Sequence, residues 1–168
     1  KIGWAYSPAI EGLRGLSVIG VVLFHLKLAS VAGGYAGVDV FFVISGFLIS
    51  AIISNKRITA ADFLWRRFRR IIPAYLVTIV VIYLFFSFIS SPNHVDKIHT
   101  SFTSSALFYS NYFFWNSESY FSDRLYENPF LHTWSLGVEI QFYLLSAFVM
   151  LALNSVFSKV SEKLTAYV

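Results

Sequence analysis

Two ionisable side chains interrupt the first apolar run of the chain, and their spacing is helical. Arg14 and His25 stand eleven residues apart, about three turns and ~16 Å along a helix axis at ~1.5 Å per residue. Eleven steps also return to within ~20° of the same face, so a single helix presents both groups along one stripe. Taken singly, Arg14 reads as an anchor whose guanidinium reaches the headgroups and His25 as a hydrogen-bonded contact between helices. Together they outline a path from a membrane surface to an imidazole buried in apolar surroundings, where ionisable groups generally face a bundle interior or an aqueous cavity. Imidazole is the side chain best suited to take up or release a proton near neutral pH.

A carboxylate completes the set. Glu139 lies within the apolar run that begins Leu131-His132-Thr133-Trp134-Ser135, three residues from its midpoint. At that depth a charge costs ~2.5–3.5 kcal/mol, so Glu139 needs a partner or a neutral, protonated state. His132, Glu139 and Tyr143 fall on one stripe of the same helix; the plain alternative is a polar cluster that holds helices together. Asp39, close to the start of another apolar run, is placed either to cap that helix or to orient an imidazole or a hydroxyl.

A third kind of chemistry sits between these runs. Arg66, Arg67, Arg69 and Arg70 form guanidinium pairs at the i+3 and i+4 separations that let two groups grip neighbouring phosphates. Positive anchoring at a membrane surface explains a basic segment in general. It does not explain the choice of arginine, the planar fork that fits phosphate. His94 and His99 are two histidines in a connecting segment, too few to specify a metal, and none is implied.

These residues need elements to carry them. The chain has 168 residues, of which 57% are hydrophobic and 13% charged, too few charges to cover a soluble surface. Apolar runs at 13–32, 35–54, 71–90 and 131–153 each approach the ~20 residues that cross a bilayer core. The segment 101–115 is shorter and rich in Ser, Tyr and Phe, which fits a weak span, a re-entrant segment or an interfacial helix. Open strands are unsatisfied in lipid. The expected fold is therefore all-α, a polytopic transmembrane helix bundle with four or five spans in one partial domain over 1–168. Thr59-Ala60-Ala61-Asp62 reads as a helix start, followed by a short interfacial helix within an arginine loop at 55–70.

Net charge is +4, and six of the 13 basic residues lie between Lys56 and Arg70. Basic residues collect on the cytosolic side, so the arginine segment and the amino terminus are expected in the cytosol. The start reads as a retained first helix and the polar end as that of a fragment. Beyond the third run the parity stays open, because Lys159 and Lys163 reach the cytosol only if 101–115 does not cross. The absence of cysteine removes thiolate chemistry. Apolar spans exclude a soluble enzyme and a nucleic-acid binder; they leave an enzyme, a transporter or proton pathway using His25 and Glu139 as a relay, and a membrane scaffold.

Four motifs in order resemble one family. They are Tyr6-x-Pro8-x-Ile10-Glu11-Gly12-Leu13-Arg14 with His25, the run from Gly34 through Gly37-Val38-Asp39 to Ser45-Gly46-Phe47, the Arg66 to Arg70 cluster, and His132-Thr133-Trp134-Ser135-Leu136-x-Val138-Glu139-x-Gln141-Phe142-Tyr143. The chain is similar to the acyltransferase-3 family, the integral membrane O-acyltransferases of bacterial surface polysaccharides, O-antigen acetylases among them. The resemblance runs from residue 6 to 145 and implies the N-terminal half of a domain of about ten helices in the bacterial inner membrane. It implies an acyl-CoA donor, acetyl-CoA foremost, and a carbohydrate or lipid-linked glycan acceptor outside the cytosol. It also implies that Arg14 and His25 are required, and Arg67-x-x-Arg70 matches the family's cytosolic arginine motif. Glu11 and Ile140 depart from the family's frequent Asp and Glu, so no role for a carboxylate at 140 carries over, whereas Glu139 matches.

Overall fold

A computed structural model describes residues 7–26, 33–54, 58–117 and 128–165 of the chain. All regular elements among them are helical: α1 (Pro8–His25), a single 3-10 turn (Gly34–Ala36), α2 (Gly37–Ser54), α3 (Ala60–Ile89), α4 (Pro92–Ala106), α5 (Ser110–Ser117) and α6 (Thr133–Thr165). Four stretches are long and apolar enough to cross a membrane: Pro8–His25, Gly34–Ile53, Ala60–Ile89 and Thr133–Ser155. Large apolar side chains point outward along them, Val43 at 72% exposure and Phe88 at 92%, as suits a surface solvated by lipid. The chain divides into two compact units, residues 1–58 and 59–168.

In the first unit α1 and α2 form an antiparallel pair whose separation is set by glycine. Pro8 occupies the first turn of α1, where its fixed φ suits a helix start and its missing N–H costs nothing. The helix thus begins earlier than the apolar run suggests and ends at His25, which stands at its C-terminal end rather than mid-helix; residues 27–32 of the expected first span lie outside the described residues. A Cβ on Gly34 would come within 2.2 Å of the Gly20 carbonyl oxygen, and one on Gly37 within 2.5 Å of the Ser17 carbonyl oxygen. Backbone therefore packs on backbone, the close approach for which small residues serve between membrane helices.

The second unit is built on α3 and α6, which run antiparallel: Phe63 meets Tyr143 near one end, and Ile79 shares a buried cluster with Phe130 and Leu131 toward the other. The helix-start box is observed, with Thr59 Oγ1 accepting from the Asp62 amide at 3.1 Å and donating to Asp62 Oδ2 at 2.8 Å. The expected short interfacial helix does not stop. Residues 60–70 are the first turns of a continuous 30-residue α3 that carries Pro73 internally; Lys56 and Arg57 of the expected loop lie outside the described residues.

The segment 101–115, whose status the sequence leaves open, is a helical hairpin. α4 runs back along α3, with Phe102 stacked on Tyr83 and the Ser105 carbonyl accepting from the Tyr75 hydroxyl at 2.9 Å. Tyr75 lies fourteen residues from Ile89, so α4 travels ~21 Å along α3 from its far end. The chain then turns at Phe108, and α5 returns until Phe114 joins Ile79, Phe130 and Leu131. The hairpin enters and leaves on one side. Phe108 has φ 56°, a left-handed conformation that an aromatic residue adopts only when its surroundings impose it. They do so three ways: its N–H donates to the Ser105 carbonyl, its ring stacks on Tyr75, and its carbonyl accepts from Gln141 Nε2 at 2.8 Å.

Hydroxyls and amides line this hairpin, and several are paired inside the unit, although Ser110 Oγ is buried without a hydrogen-bond partner among the described residues. Asn128 Nδ2 donates to Ser101 Oγ, Ser105 Oγ lies 2.8 Å from Thr133 Oγ1, and Asn111 and Gln141 exchange two amide hydrogen bonds. Gly137 of α6 admits the hairpin tip: a Cβ there would lie 3.3 Å from the Phe108 carbonyl oxygen.

Two measurements on the full-length protein check this packing. Gly34→Ala is expected to cost about 1–3 kcal/mol because rigid backbone must separate. Gly33→Ala, whose Cβ meets nothing within 4 Å, should change stability by less than about 0.5 kcal/mol; equal unfolding midpoints in detergent titration would disprove the glycine contact. Gln141→Leu leaves the Phe108 carbonyl and Asn111 without that partner and is expected to lower stability by about 1–3 kcal/mol, read as a lower midpoint and faster proteolysis near residue 108.

Candidate functional site

The first unit holds Arg14, His25 and Asp39. Arg14 leaves α1 in its second turn, 17% exposed, with its guanidinium 3.6 Å from Glu11 one turn earlier. Its Nε is buried without a hydrogen-bond partner among the described residues. Glu11 is thus a charge that faces Arg14.

His25 Nδ1 lies 2.7 Å from the Val21 carbonyl oxygen. A carbonyl only accepts, so the proton of the neutral ring is on Nδ1 and the lone pair on Nε2. Phe24 meets the imidazole edge-on at 5.4 Å and also packs against Tyr35 of the following turn. Thus the glycine contact that seats Tyr35 also buttresses the residue next to His25. Asp39 is exposed in the first turn of α2, where a carboxylate complements the partial positive charge of the helix start.

The second unit holds the arginines and Glu139. Arg66, Arg69 and Arg70 are exposed. Arg67 is set apart from them: its guanidinium lies 5.4 Å from the centre of the Tyr143 ring and 5.9 Å from that of Phe63. Tyr143 is 1% exposed and its hydroxyl donates to Glu139 Oε1. Arg67, Tyr143 and Glu139 therefore form one chain of contacts from α3 to α6.

This arrangement modifies two expectations. His132 stands in the turn ahead of α6, so the three-residue stripe reduces to Glu139 and Tyr143. Glu139 is one turn, ~6 Å of axial rise, from the ring that carries Arg67, which places it toward the arginine end of the unit. His94 and His99 each have a neighbour of their own, Ser91 Oγ at 2.9 Å and the Tyr83 hydroxyl at 3.2 Å.

Sequence reasoning missed the amide pair of Asn111 and Gln141 and the double engagement of Tyr143. The i+4 spacing of Tyr143 from Glu139 was a usable signal. Arg67 over the Tyr143 ring had none, because it depends on which residues of α3 and α6 meet.

Comparison with known proteins follows the same segments. Residues 7–161 match the sequence profile of a family described as an acyltransferase domain, acyltransferase-3. The chain is 39% identical over 156 residues to the peptidoglycan O-acetyltransferase OatA of Listeria monocytogenes, covering 89% of this chain and 25% of that protein. It is 35% identical over 150 residues to the O-acetyltransferase OatA of Staphylococcus aureus, covering 86% of this chain and 25% of the relative. The chain thus spans about a quarter of the length of these curated relatives. No solved structure matches. With its matched segment running from the start of α1 into α6 and its four apolar helices, the chain is an integral membrane protein that belongs to the acyltransferase-3 family.

Proposed function

We propose that the protein containing this chain is a membrane O-acetyltransferase that moves an acyl group from cytosolic acyl-CoA to a hydroxyl of an envelope glycan outside the cytosol. The observation that carries this reading is the match, through nearly all of the chain, to relatives named as O-acetyltransferases, one of them for peptidoglycan. The arginines supply the donor side. Arg66, Arg67, Arg69 and Arg70 are assigned to the phosphates of coenzyme A, and Arg14 and His25 to the acyl-transfer step.

The chemistry falls to Nε2 of His25, because hydrogen bonding to Val21 keeps the proton on Nδ1. Acting as base, Nε2 takes the acceptor's hydroxyl proton while the hydroxyl oxygen attacks the thioester carbonyl; the carbon–sulfur bond breaks and the proton passes to the departing thiolate. The alternative route uses the same lone pair to carry the acyl group briefly. Glu139 or Asp39 is assigned to fix the tautomer and stabilise the charged imidazole.

The orientation rests on charge and on the direction of α6. α6 runs back toward the end of the unit where α3 begins, which supports assigning Lys159 and Lys163 to the same, cytosolic side as the arginines.

Purified full-length protein given labelled acetyl-CoA and peptidoglycan fragments provides the test. Arg14→Ala and His25→Ala are each expected to lower acceptor labelling by at least about a hundredfold, the usual loss for a removed general base. Normal labelling by both variants would overturn the site, and label-independent solute flux through proteoliposomes would favour a transporter instead.

A further inference from the structure

Tyr143 faces two charged groups with two different parts of its side chain. The face of its ring receives the Arg67 guanidinium at 5.4 Å, Phe63 supports the ring edge-on at 6.0 Å, and the hydroxyl donates to Glu139 Oε1. A phenol is suited to this double duty, since its π face attracts a cation while its O–H donates to an anion. Burial strengthens both contacts, because little water competes. The phenol thus touches both a cation and an anion.

We propose that Tyr143 is a positioning residue that couples the donor-binding arginines to Glu139. This rests on the acyl-transfer reading above. The ring holds Arg67 inward, away from the exposed Arg66, Arg69 and Arg70, so that one guanidinium of the cluster is fixed on the protein side of the donor site. The hydroxyl fixes the Glu139 carboxylate one helical turn away. Donor phosphates that engage Arg67 therefore bear on the residue that also orients the carboxylate, and the two halves of the site are set by one side chain.

The two parts of the side chain separate by substitution in the full-length protein. Tyr143→Phe keeps the ring and deletes the hydroxyl: kcat is expected to fall about tenfold with the KM for acetyl-CoA changed less than about twofold. Tyr143→Leu removes the ring as well, and should also raise that KM about tenfold. If the hydroxyl acts through Glu139, the double variant Tyr143→Phe with Glu139→Gln is no slower than Glu139→Gln alone. A Tyr143→Phe enzyme with wild-type kcat, or losses that multiply in the double variant, would overturn the coupling. A readout free of catalysis separates this failure from that of the acyl-transfer reading: phenylglyoxal modification of Arg67, followed by mass spectrometry, should rise severalfold in Tyr143→Leu and stay unchanged in Tyr143→Phe, even if the wild type transfers no label. Equal modification of Arg67 in all three proteins would also sink the proposal.

Discussion

A chain that turns around within the thickness of a bilayer exposes amides and carbonyls that lipid cannot satisfy, each at a cost of several kcal/mol. The reversal between α4 and α5 is received by α3 and α6, which supply partners that lipid could not. Tyr75, Thr133 and Gln141 supply the partners, and Gly137 leaves the room. Hydrogen bonds of this kind contribute modestly when made, on average ~0.6 kcal/mol between membrane helices. Leaving a buried group without its partner costs more, about 1–3 kcal/mol. The asymmetry makes the polar lining of the hairpin a selector of register rather than a large source of stability.

Register is what the site needs from this unit. Once Ser105 faces Tyr75 and Thr133, and Gln141 reaches Phe108, the antiparallel offset of α3 and α6 is determined. Tyr143 then falls beside Phe63 and Arg67. The charged cluster is thus a consequence of packing that runs along α6 from Thr133, some three turns away, to Gln141, about half a turn away. Left-handed Phe108 belongs to the same logic: its strain, about 1–3 kcal/mol, is offset by the stacked Tyr75 ring and the Gln141 amide.

The first unit solves a simpler problem with less polar material. Gly34 and Gly37 bring α2 against Gly20 and Ser17, which seats Tyr35 against Phe24 and Phe24 against His25. The imidazole is oriented by its own helix through Val21. A backbone carbonyl is a dependable orienting group, because it moves only if the helix does.

The sequence by itself determined what depends on composition and on spacing within one helix. Four long apolar runs in a chain with 13% charge admit only membrane helices, the Thr59 to Asp62 box starts α3 as written, and Arg14 with His25 and Glu139 with Tyr143 share faces because 3.6 residues make a turn. The bounds were less legible. Pro8 drew α1 earlier, and α3 absorbed the arginine segment, because no residue between Ala60 and Ile89 ends a helix once Pro73 is accommodated. Only the tertiary structure decided that 101–115 belongs to two helices reversing at Phe108, and that Arg67 parts from its neighbours to lie on Tyr143. Those outcomes depend on contacts between residues far apart in the chain, whose pairing follows from the offset of packed helices and leaves no periodic trace along any one of them.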